Sequence, residues 1–176
     1  IPVGLKPFLR KYMHEPKTIQ IERSEQFHPD IRHVLVPCKH MEYTEKLMEI
    51  LPGINPYVCL IFANTRVVAA QAAERMRAAG YGVAELHGDL NARERMKALR
   101  ELQSQKKSYV VATDTAARGI DIEGITHVIS LGFPKELDFY IHRSGRTGRA
   151  GRDGVCYALY RGEDDTMIRV LEQRGI

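Results

Sequence analysis

The most informative part of this 176-residue chain reads His142-Arg143-Ser144-Gly145-Arg146-Thr147-Gly148-Arg149. Its arginines are interleaved with glycines, and Arg152 follows shortly after them. Guanidinium groups are planar and always charged, so they suit two-pronged contacts with phosphate oxygens. Arginine also neutralises charge that develops in phosphoryl transfer, reaching in as a finger from a neighbouring domain. The stretch therefore indicates a phosphate-binding loop, with a solvated Arg/Gly loop as the alternative.

Length and composition are typical of an ordinary globular protein with one domain, or with one domain and a remnant of another. Hydrophobic residues make up 44% of the chain and charged residues 27%, and the net charge of +4 favours an anionic partner. The cysteines Cys38, Cys59 and Cys156 lie far apart in apolar segments without metal-ligand spacing. They predict buried thiols in a reducing cytoplasm and no metal site. No apolar segment approaches the ~18 residues of a membrane span, so we expect a cytoplasmic protein without a membrane partner.

Short apolar or β-branched segments alternate with helical patterns along the chain. This alternation, with short turns, predicts an α/β fold in which an open, mostly parallel sheet is flanked by helices on both faces. The predicted strands are Thr18–Ile21, Ile31–Pro37, Tyr57–Ala63, Gly82–Leu86, Tyr109–Ala112, His127–Leu131 and Val155–Tyr160. The predicted helices are His40–Leu51, Arg66–Ala79, Ala92–Leu102, Glu136–Arg143 and Asp164–Gln173.

Polar, loop-forming residues follow three of the predicted strands. They form the segments Phe62–Arg66, Leu86–Asp89 and Ala112–Asp114. The carboxyl ends of parallel strands share one edge of a sheet, where open α/β folds bind their ligands. Hydroxyls and helix-start N–H groups at that edge can hold the phosphates of a nucleic acid. Helix capping is the commoner explanation of a single Asn-Thr pair, but three such clusters favour a binding surface.

Four segments resemble motifs of the DEAD-box RNA helicases. Leu60–Thr65 resembles motif IV, and His87-Gly88-Asp89 resembles the short element that follows it. Val111–Ile122 resembles motif V, and His142–Arg149 resembles motif VI. The order and spacing of these motifs match the family over about residues 23–173. The resemblance implies the second of two RecA-like helicase domains, with ATP in the cleft between them.

The resemblance implies contacts with ATP for three residues and a coupling role for a fourth. Arg146 and Arg149 match the positions that reach across to the γ-phosphate. Asp121 matches the motif V acid that contacts ATP at the ribose. His142 matches a residue that couples the state of ATP to the facing domain.

A second set of positions is implied to bind RNA through its sugar–phosphate backbone. These positions are Thr65, Gly88, Arg95 and Thr113. The chain departs from the family at Ala92, where Gln is usual, three residues before Arg95. The expected partner is therefore RNA, held by contacts that do not depend on base sequence.

Two hallmarks of a complete helicase are not found in the sequence. There is no GxxxxGK[ST] loop for the β- and γ-phosphates, and no Asp-Glu-Ala-Asp run for the metal. We therefore expect residues 1–22 to be a remnant of the first helicase domain with its linker, and residues 23–176 to form the C-terminal RecA-like domain. ATP and Mg²⁺ would be held mainly by the missing N-terminal domain, so we expect no ATP hydrolysis by this chain alone.

Two other functions remain open at this point. One is the second domain of a RecQ-like or repair-type DNA helicase, because Ala150–Gly154 also resembles RecQ-type chains. The pair His142-Arg143 favours the DEAD-box family, since the related stretch of DEAH and RecQ-type helicases usually begins with Gln. The other function is a stand-alone nucleic-acid-binding module.

Overall fold

A computed structural model describes residues 30–149 and 152–173 of the chain. Its strands form one six-stranded sheet in the order β1-β6-β5-β2-β4-β3, and every pair of neighbours is parallel. The strands are β1 (Ile31–Pro37), β2 (Val58–Ala63), β3 (Val83–Leu86), β4 (Tyr109–Ala112), β5 (Ile125–Leu131) and β6 (Gly154–Tyr160). The predicted parallel α/β sheet is confirmed. The predicted strand Thr18–Ile21 and the remnant at residues 1–22 lie outside the described residues.

Helices precede or follow each strand of the sheet. They are α1 (Tyr43–Ile50), α2 (Arg66–Ala78), α3 (Ala92–Gln103), α4 (Asp114–Ala117), α5 (Leu137–Ser144) and α6 (Asp165–Gln173). Short 3₁₀ helices cover Leu51–Gly53 and Gly162–Asp164. Most bounds lie within a few residues of the predicted ones. Helix α4 was not predicted, because four residues are too few to show a helical period.

The central strands are buried on both faces, as expected for a parallel sheet covered by helices. In β2, Cys59 and Ile61 pack with the residues of α1 and α2, whereas Leu60 and Phe62 pack with those of α3 and α4. A third apolar cluster attaches α5 and α6 to β1 and β6. It includes Tyr140 of α5, which is completely buried. The predicted helices on both faces are therefore confirmed.

The register of the strands aligns the ends of β2, β4 and β3. Phe62 of β2 lies opposite Ala112 of β4, and Ala112 lies opposite Leu86 of β3. The backbone N–H of Thr113 donates to the carbonyl oxygen of Leu86 at 3.3 Å. The three polar segments singled out in the sequence therefore share the carboxyl edge of the sheet.

Candidate phosphate-binding site

Arg143 is buried at the carboxyl edge, and its guanidinium donates four hydrogen bonds. Its side chain is 1% exposed, and its Nε and Nη2 donate to the two carboxylate oxygens of Asp114 at 2.7 and 2.6 Å. Nη2 also donates to Oδ1 of Asn64 at 2.6 Å, and Nη1 donates to the carbonyl of Gly132 at 3.2 Å. The guanidinium lies 5.3 Å from the centroid of the Phe62 ring. One side chain of α5 therefore joins the ends of β2, β4 and β5.

The contacts of Arg143 change the interpretation of two polar clusters. Asn64 and Asp114 follow β2 and β4 and were expected among groups that face a phosphate. The amide of Asn64 also donates to the carbonyl of Phe133 at 3.0 Å, so both ends of that side chain are bound within the domain. Asn64 and Asp114 therefore have a structural role at the edge, because their side chains are bound within the domain. The neighbouring Thr65 and Thr113 are then the candidates for contact with a ligand.

Arg146 lies in the turn after α5 and is half-buried. Its Nη1 donates to the carbonyl of Ile120, which precedes β5, at 2.7 Å. Burial lowers the pKa of Arg146, and the charge of Arg149 lowers it further, whereas the carboxylates of Asp121 and Asp114 raise it. An arginine stays protonated under these conditions. The turn thus presents a partly desolvated cation, which attracts an anion more strongly than a fully hydrated one does.

Arg149 is the exposed cation of the same turn. Its Nη1 lies 3.3 Å from Oδ1 of Asp121, and its Nε donates to the carbonyl of Gly145 at 3.0 Å. The side chains of Arg149 and Asp121 are 56% and 76% exposed. The structure therefore brings together Arg146, Arg149 and Asp121, the three residues expected at ATP.

The turn after α5, residues 145–149, carries Arg146 and Arg149 and is called the arginine turn below. It is attached to the sheet through Thr147. This buried side chain donates its hydroxyl to the carbonyl of Ile125, the first residue of β5, at 2.6 Å. The next residue, Gly148, has a φ of +69°, a conformation that glycine adopts without strain. Gly154, the first residue of β6, packs against the same turn, and a Cβ there would lie 2.3 Å from Oγ1 of Thr147. The backbone of this turn therefore lies against the starts of β5 and β6.

A pocket of about 200 Å³ opens between α4 and α5. It is lined by Phe62, Asp114, Arg118, Phe139, His142, Arg143 and Arg146. The exposed His142 therefore faces the same space as Arg146. Arg118 and Phe139 were not predicted from the sequence as part of this surface. Arg118 lies inside the quoted motif V stretch, whereas no local pattern distinguishes Phe139 from a core residue.

The residues expected at RNA occupy the carboxyl edge. Thr65 caps α2, because its Oγ1 accepts a hydrogen bond from the N–H of Val68 at 3.2 Å. Thr113 occupies the same position at α4 but makes no such capping bond. Gly88 lies in the turn after β3, where a Cβ would meet no atom within 4 Å. Arg95 is half-buried in the first turn of α3, beside this edge.

Two further contacts order the helix starts at this edge. Asn91 and Glu94 form a capping box at the start of α3, in which each side chain accepts from the other residue's N–H at 2.9 Å. An ion pair between Arg66 and Asp89 joins the turn after β2 to the turn after β3. The structure thus places the residues expected at RNA along the carboxyl edge, and Arg146 and Arg149, which are expected at ATP, on the turn after α5.

Within residues 30–149 and 152–173, no group of three or more His, Cys, Asp or Glu side chains could hold a metal ion. No helix in that part of the chain is long and apolar enough to cross a membrane. Cys38, Cys59 and Cys156 are free and buried, as the sequence predicted. Burial raises the pKa of the Cys38 thiol to about 11 and that of Cys156 to about 12.

Comparison with known proteins gives close relatives. The helicase conserved C-terminal domain family matches residues 42–151. The DEAD-box ATP-dependent RNA helicase CshB of Bacillus subtilis is 42% identical over 176 residues, which are 100% of this chain and 40% of CshB. CshA of the same organism is 32% identical over 173 residues, or 98% of this chain and 35% of CshA. The chain thus spans about 40% of the length of the curated relatives of the CshB type.

Solved structures share the fold. The Escherichia coli DEAD-box protein SrmB, solved bound to regulator of ribonuclease activity A, superposes with a TM-score of 0.73 at 31% identity. This match covers 79% of the present chain and 82% of the SrmB chain. The C-terminal domain of the DEAD-box protein Dbp5 has a TM-score of 0.71 at 25% identity and covers 80% and 82%. Family match, relatives and fold agree with the motifs, and the chain belongs to the helicase conserved C-terminal domain family as a DEAD-box, RecA-like second domain.

Proposed function

We propose that this chain is part of a longer DEAD-box ATP-dependent RNA helicase and supplies its arginine fingers and part of its RNA-binding surface. In this proposal, residues 1–22 end the first domain and its linker, and residues 23–176 form the second domain. The observation that carries the proposal is the cluster of Arg146, Arg149 and Asp121. It combines two cations of the turn after α5 with a carboxylate of the loop before β5, and Arg146 shares a pocket with Phe62 and Asp114 of the carboxyl edge.

Arg146 and Arg149 would contact the γ-phosphate of ATP, which is held mainly by the first domain. The partly buried Arg146 is already oriented by the carbonyl of Ile120, so little reorganisation is needed when charge develops on the phosphoryl group. Arg149 is exposed and can exchange Asp121 for a phosphate, while Asp121 turns to the ribose hydroxyls. His142, exposed in the pocket beside Arg146, would contact the facing domain.

Mg²⁺ is assigned to the first domain in this proposal. The described residues of this chain offer no cluster of carboxylates and histidines for it. The ion would neutralise phosphate charge from the opposite side of the cleft. The contribution of the present chain is then electrostatic: it stabilises the transferred phosphoryl group through Arg146 and Arg149.

RNA would bind along the carboxyl edge through Thr65, Gly88, Arg95 and Thr113. Hydroxyls, open backbone at a glycine and one guanidinium suit phosphate and ribose oxygens, which carry no base information. Binding should therefore be indifferent to base order and weakened by salt. We also propose a cytoplasmic location, which the three buried, unpaired cysteines support.

ATP turnover with and without RNA tests the proposal. The full-length protein should hydrolyse ATP with Mg²⁺, and single-stranded RNA should stimulate it more than DNA of the same sequence, because ribose 2′-hydroxyls distinguish the two. The present chain alone should hydrolyse nothing. Turnover by this chain alone would contradict the assignment of ATP to the first domain. Equal stimulation by DNA would instead favour a DNA helicase.

A further inference from the structure

The positive charge of the chain is concentrated in α3 and the loop that follows it. Residues 92–107 contain six arginines and lysines and two glutamates, which give a net charge of +4. The whole chain has 26 basic and 22 acidic residues, so the rest of it holds 20 of each and is neutral. The excess charge that favours an anionic partner therefore comes from this one segment.

The cations of α3 lie mainly on its outward face. Ala98 and Leu102 are buried against the sheet, and Arg95 is half-buried on the same side of the helix. Residues three, four and seven positions apart share the opposite side, and all of them are exposed. This opposite side, called the basic face of α3 below, consists of Arg93, Met96, Lys97 and Arg100.

The basic face has no carboxylate to neutralise it. Among the described residues, none of its three charged side chains forms a hydrogen bond or an ion pair. The two glutamates of the segment are already bound, because Glu94 accepts from the N–H of Asn91 at 2.9 Å and Glu101 pairs with Lys107 at 2.7 Å. A helix face that only meets water usually mixes charges of both signs. Here like charges repel one another until an anion binds.

The basic face continues the surface expected at RNA. Helix α3 begins at the carboxyl edge, shortly after Gly88, and carries Arg95 in its first turn. From Arg93 to Arg100 the helix advances about 10 Å away from that edge. A strand held at Gly88 and Arg95 can therefore continue along α3, with successive phosphates beside the three cations.

We propose that the basic face of α3 is a second RNA-binding surface, which holds the single-stranded RNA that extends beyond the carboxyl edge. This inference rests on the function proposed above and adds Arg93, Lys97 and Arg100 to the residues that contact RNA. None of the three lies in the four motif segments. Contacts with phosphates carry no base information, so this surface lengthens the bound strand and selects no sequence.

The test measures how salt weakens RNA binding by the full-length protein, with Mg²⁺ and a non-hydrolysable ATP analogue present. Two oligouridines are compared, one of about 6 nucleotides, which fills the edge alone, and one of about 20. A long strand offers more binding registers, but that factor does not depend on salt. The readout is therefore the slope of the logarithm of the binding constant against the logarithm of the salt concentration, to which each phosphate contact with a single strand contributes about 0.7.

Two triple variants that remove the same charge are compared with the wild type. Glutamine replaces each cation, because it keeps a high helix propensity. The α3 variant combines Arg93→Gln, Lys97→Gln and Arg100→Gln. Its slope should be shallower by about 2 on the long RNA and nearly unchanged on the short one. The control variant, with changes in α1, α2 and α6, combines Lys46→Gln, Arg75→Gln and Arg169→Gln. It should keep the wild-type slope on both RNAs.

Each outcome decides the proposal. A shallower slope confined to the long RNA and to the α3 variant supports it. A wild-type slope of the α3 variant on the long RNA overturns it and favours an acidic protein segment as the occupant of the basic face. Equal losses on both RNAs, or an equal loss in the control variant, overturn it as well, because the cations would then act at the edge or through net charge. If the wild type binds neither RNA, or if RNA does not stimulate its ATP turnover, the proposed function fails, and this inference fails with it.

Discussion

Arg149 and Asp121, both placed at ATP in our proposal, are paired with each other, with Nη1 of the arginine 3.3 Å from Oδ1 of the aspartate. Both side chains are more than half exposed, so water and salt screen the pair and it contributes little to folding. The pairing keeps the guanidinium close to the turn from which it would reach a phosphate. Replacing Arg149 should therefore change ATP turnover without a large change in the free energy of unfolding.

Replacing Arg149 tests the finger role directly. Arg149→Ala should lower RNA-stimulated ATP turnover of the full-length protein about 10³-fold or more, because an arginine finger stabilises charge in the transition state. Arg149→Lys should not restore turnover, since a point charge cannot make the planar two-pronged contact. Turnover and melting temperature should be measured on the same preparations. Full turnover in Arg149→Ala would contradict the assignment of Arg149 as an arginine finger. Activity that is lost only because the variant unfolds would contradict it as well.

The two threonines at the carboxyl edge should respond differently to loss of the hydroxyl. Thr65→Val and Thr113→Val should each weaken RNA binding about three- to tenfold, the effect of one neutral hydrogen bond. Only Thr65→Val should also lower the free energy of unfolding, by about 1 kcal/mol, because Thr65 caps α2 and Thr113 makes no capping bond. RNA titration and urea unfolding provide the two measurements.

Thr65→Ser is the control for this pair, because serine keeps a hydroxyl that can cap α2 and contact RNA. It should resemble the wild type in both measurements. If Thr113→Val binds RNA as well as the wild type does, the hydroxyl of Thr113 is not an RNA contact.

Much of the fold could be predicted because local pattern and global architecture agree. Strands such as Val58–Ala63 are continuous apolar runs between turn residues, as expected when both faces of a sheet are covered. The shared edge of the three polar segments followed from parallel pairing alone. Helix α4 escaped prediction because it is a single turn, stabilised by burial of Ala116 and Ala117 and not by a periodic pattern.

The hydrogen bonds of Arg143 could not be predicted from the sequence, because they join distant parts of the chain. Arg143 is one of several similar arginines in the sequence. Among the described residues it is the one arginine that is fully buried, and its partners lie 29 and 79 residues away. One local signal existed: Tyr140 and Arg143 are three residues apart and so share one face of α5, the face toward the sheet. Without the sheet order, nothing identified Asn64 and Asp114 as its partners.

A buried histidine should make stability depend on pH. His33 of β1 is 6% exposed, its Nδ1 lies 2.9 Å from the hydroxyl of Tyr140, and burial lowers its pKa from 6.5 to about 4. Between these two values the unfolded chain binds the proton and the folded chain does not. Stability should therefore fall as the pH drops from about 6.5 to about 4, by about 3 kcal/mol from this residue.

Urea unfolding of this chain at several pH values measures the effect of His33. His33→Gln keeps a polar group for Tyr140 but cannot titrate, so its free energy of unfolding should depend less on pH in the same interval. An identical pH dependence in the wild type and in His33→Gln would show that other groups cause it.

The contact between the start of β6 and the arginine turn provides the last prediction. A Cβ on Gly154 would lie 2.3 Å from Oγ1 of Thr147 and 2.6 Å from the backbone nitrogen of Gly148. A side chain could rotate away, but the backbone nitrogen cannot, so the turn that carries Arg149 must shift. Gly154→Ala should therefore lower the free energy of unfolding by about 1–3 kcal/mol, as overpacking does. In the full-length protein, it should also reduce turnover at temperatures where the variant remains folded.

Gly53→Ala is the matched control, because a Cβ on Gly53 would meet no atom within 4 Å and its φ is not positive. It should keep both the stability and the turnover of the wild type. Urea unfolding of the two alanine variants, followed by turnover assays well below their melting temperatures, separates loss of folding from displacement of the fingers. Equal stability of the two variants would mean that β6 and the arginine turn are not in tight contact. Reduced stability with full turnover would mean that the turn absorbs the added methyl group without moving Arg149.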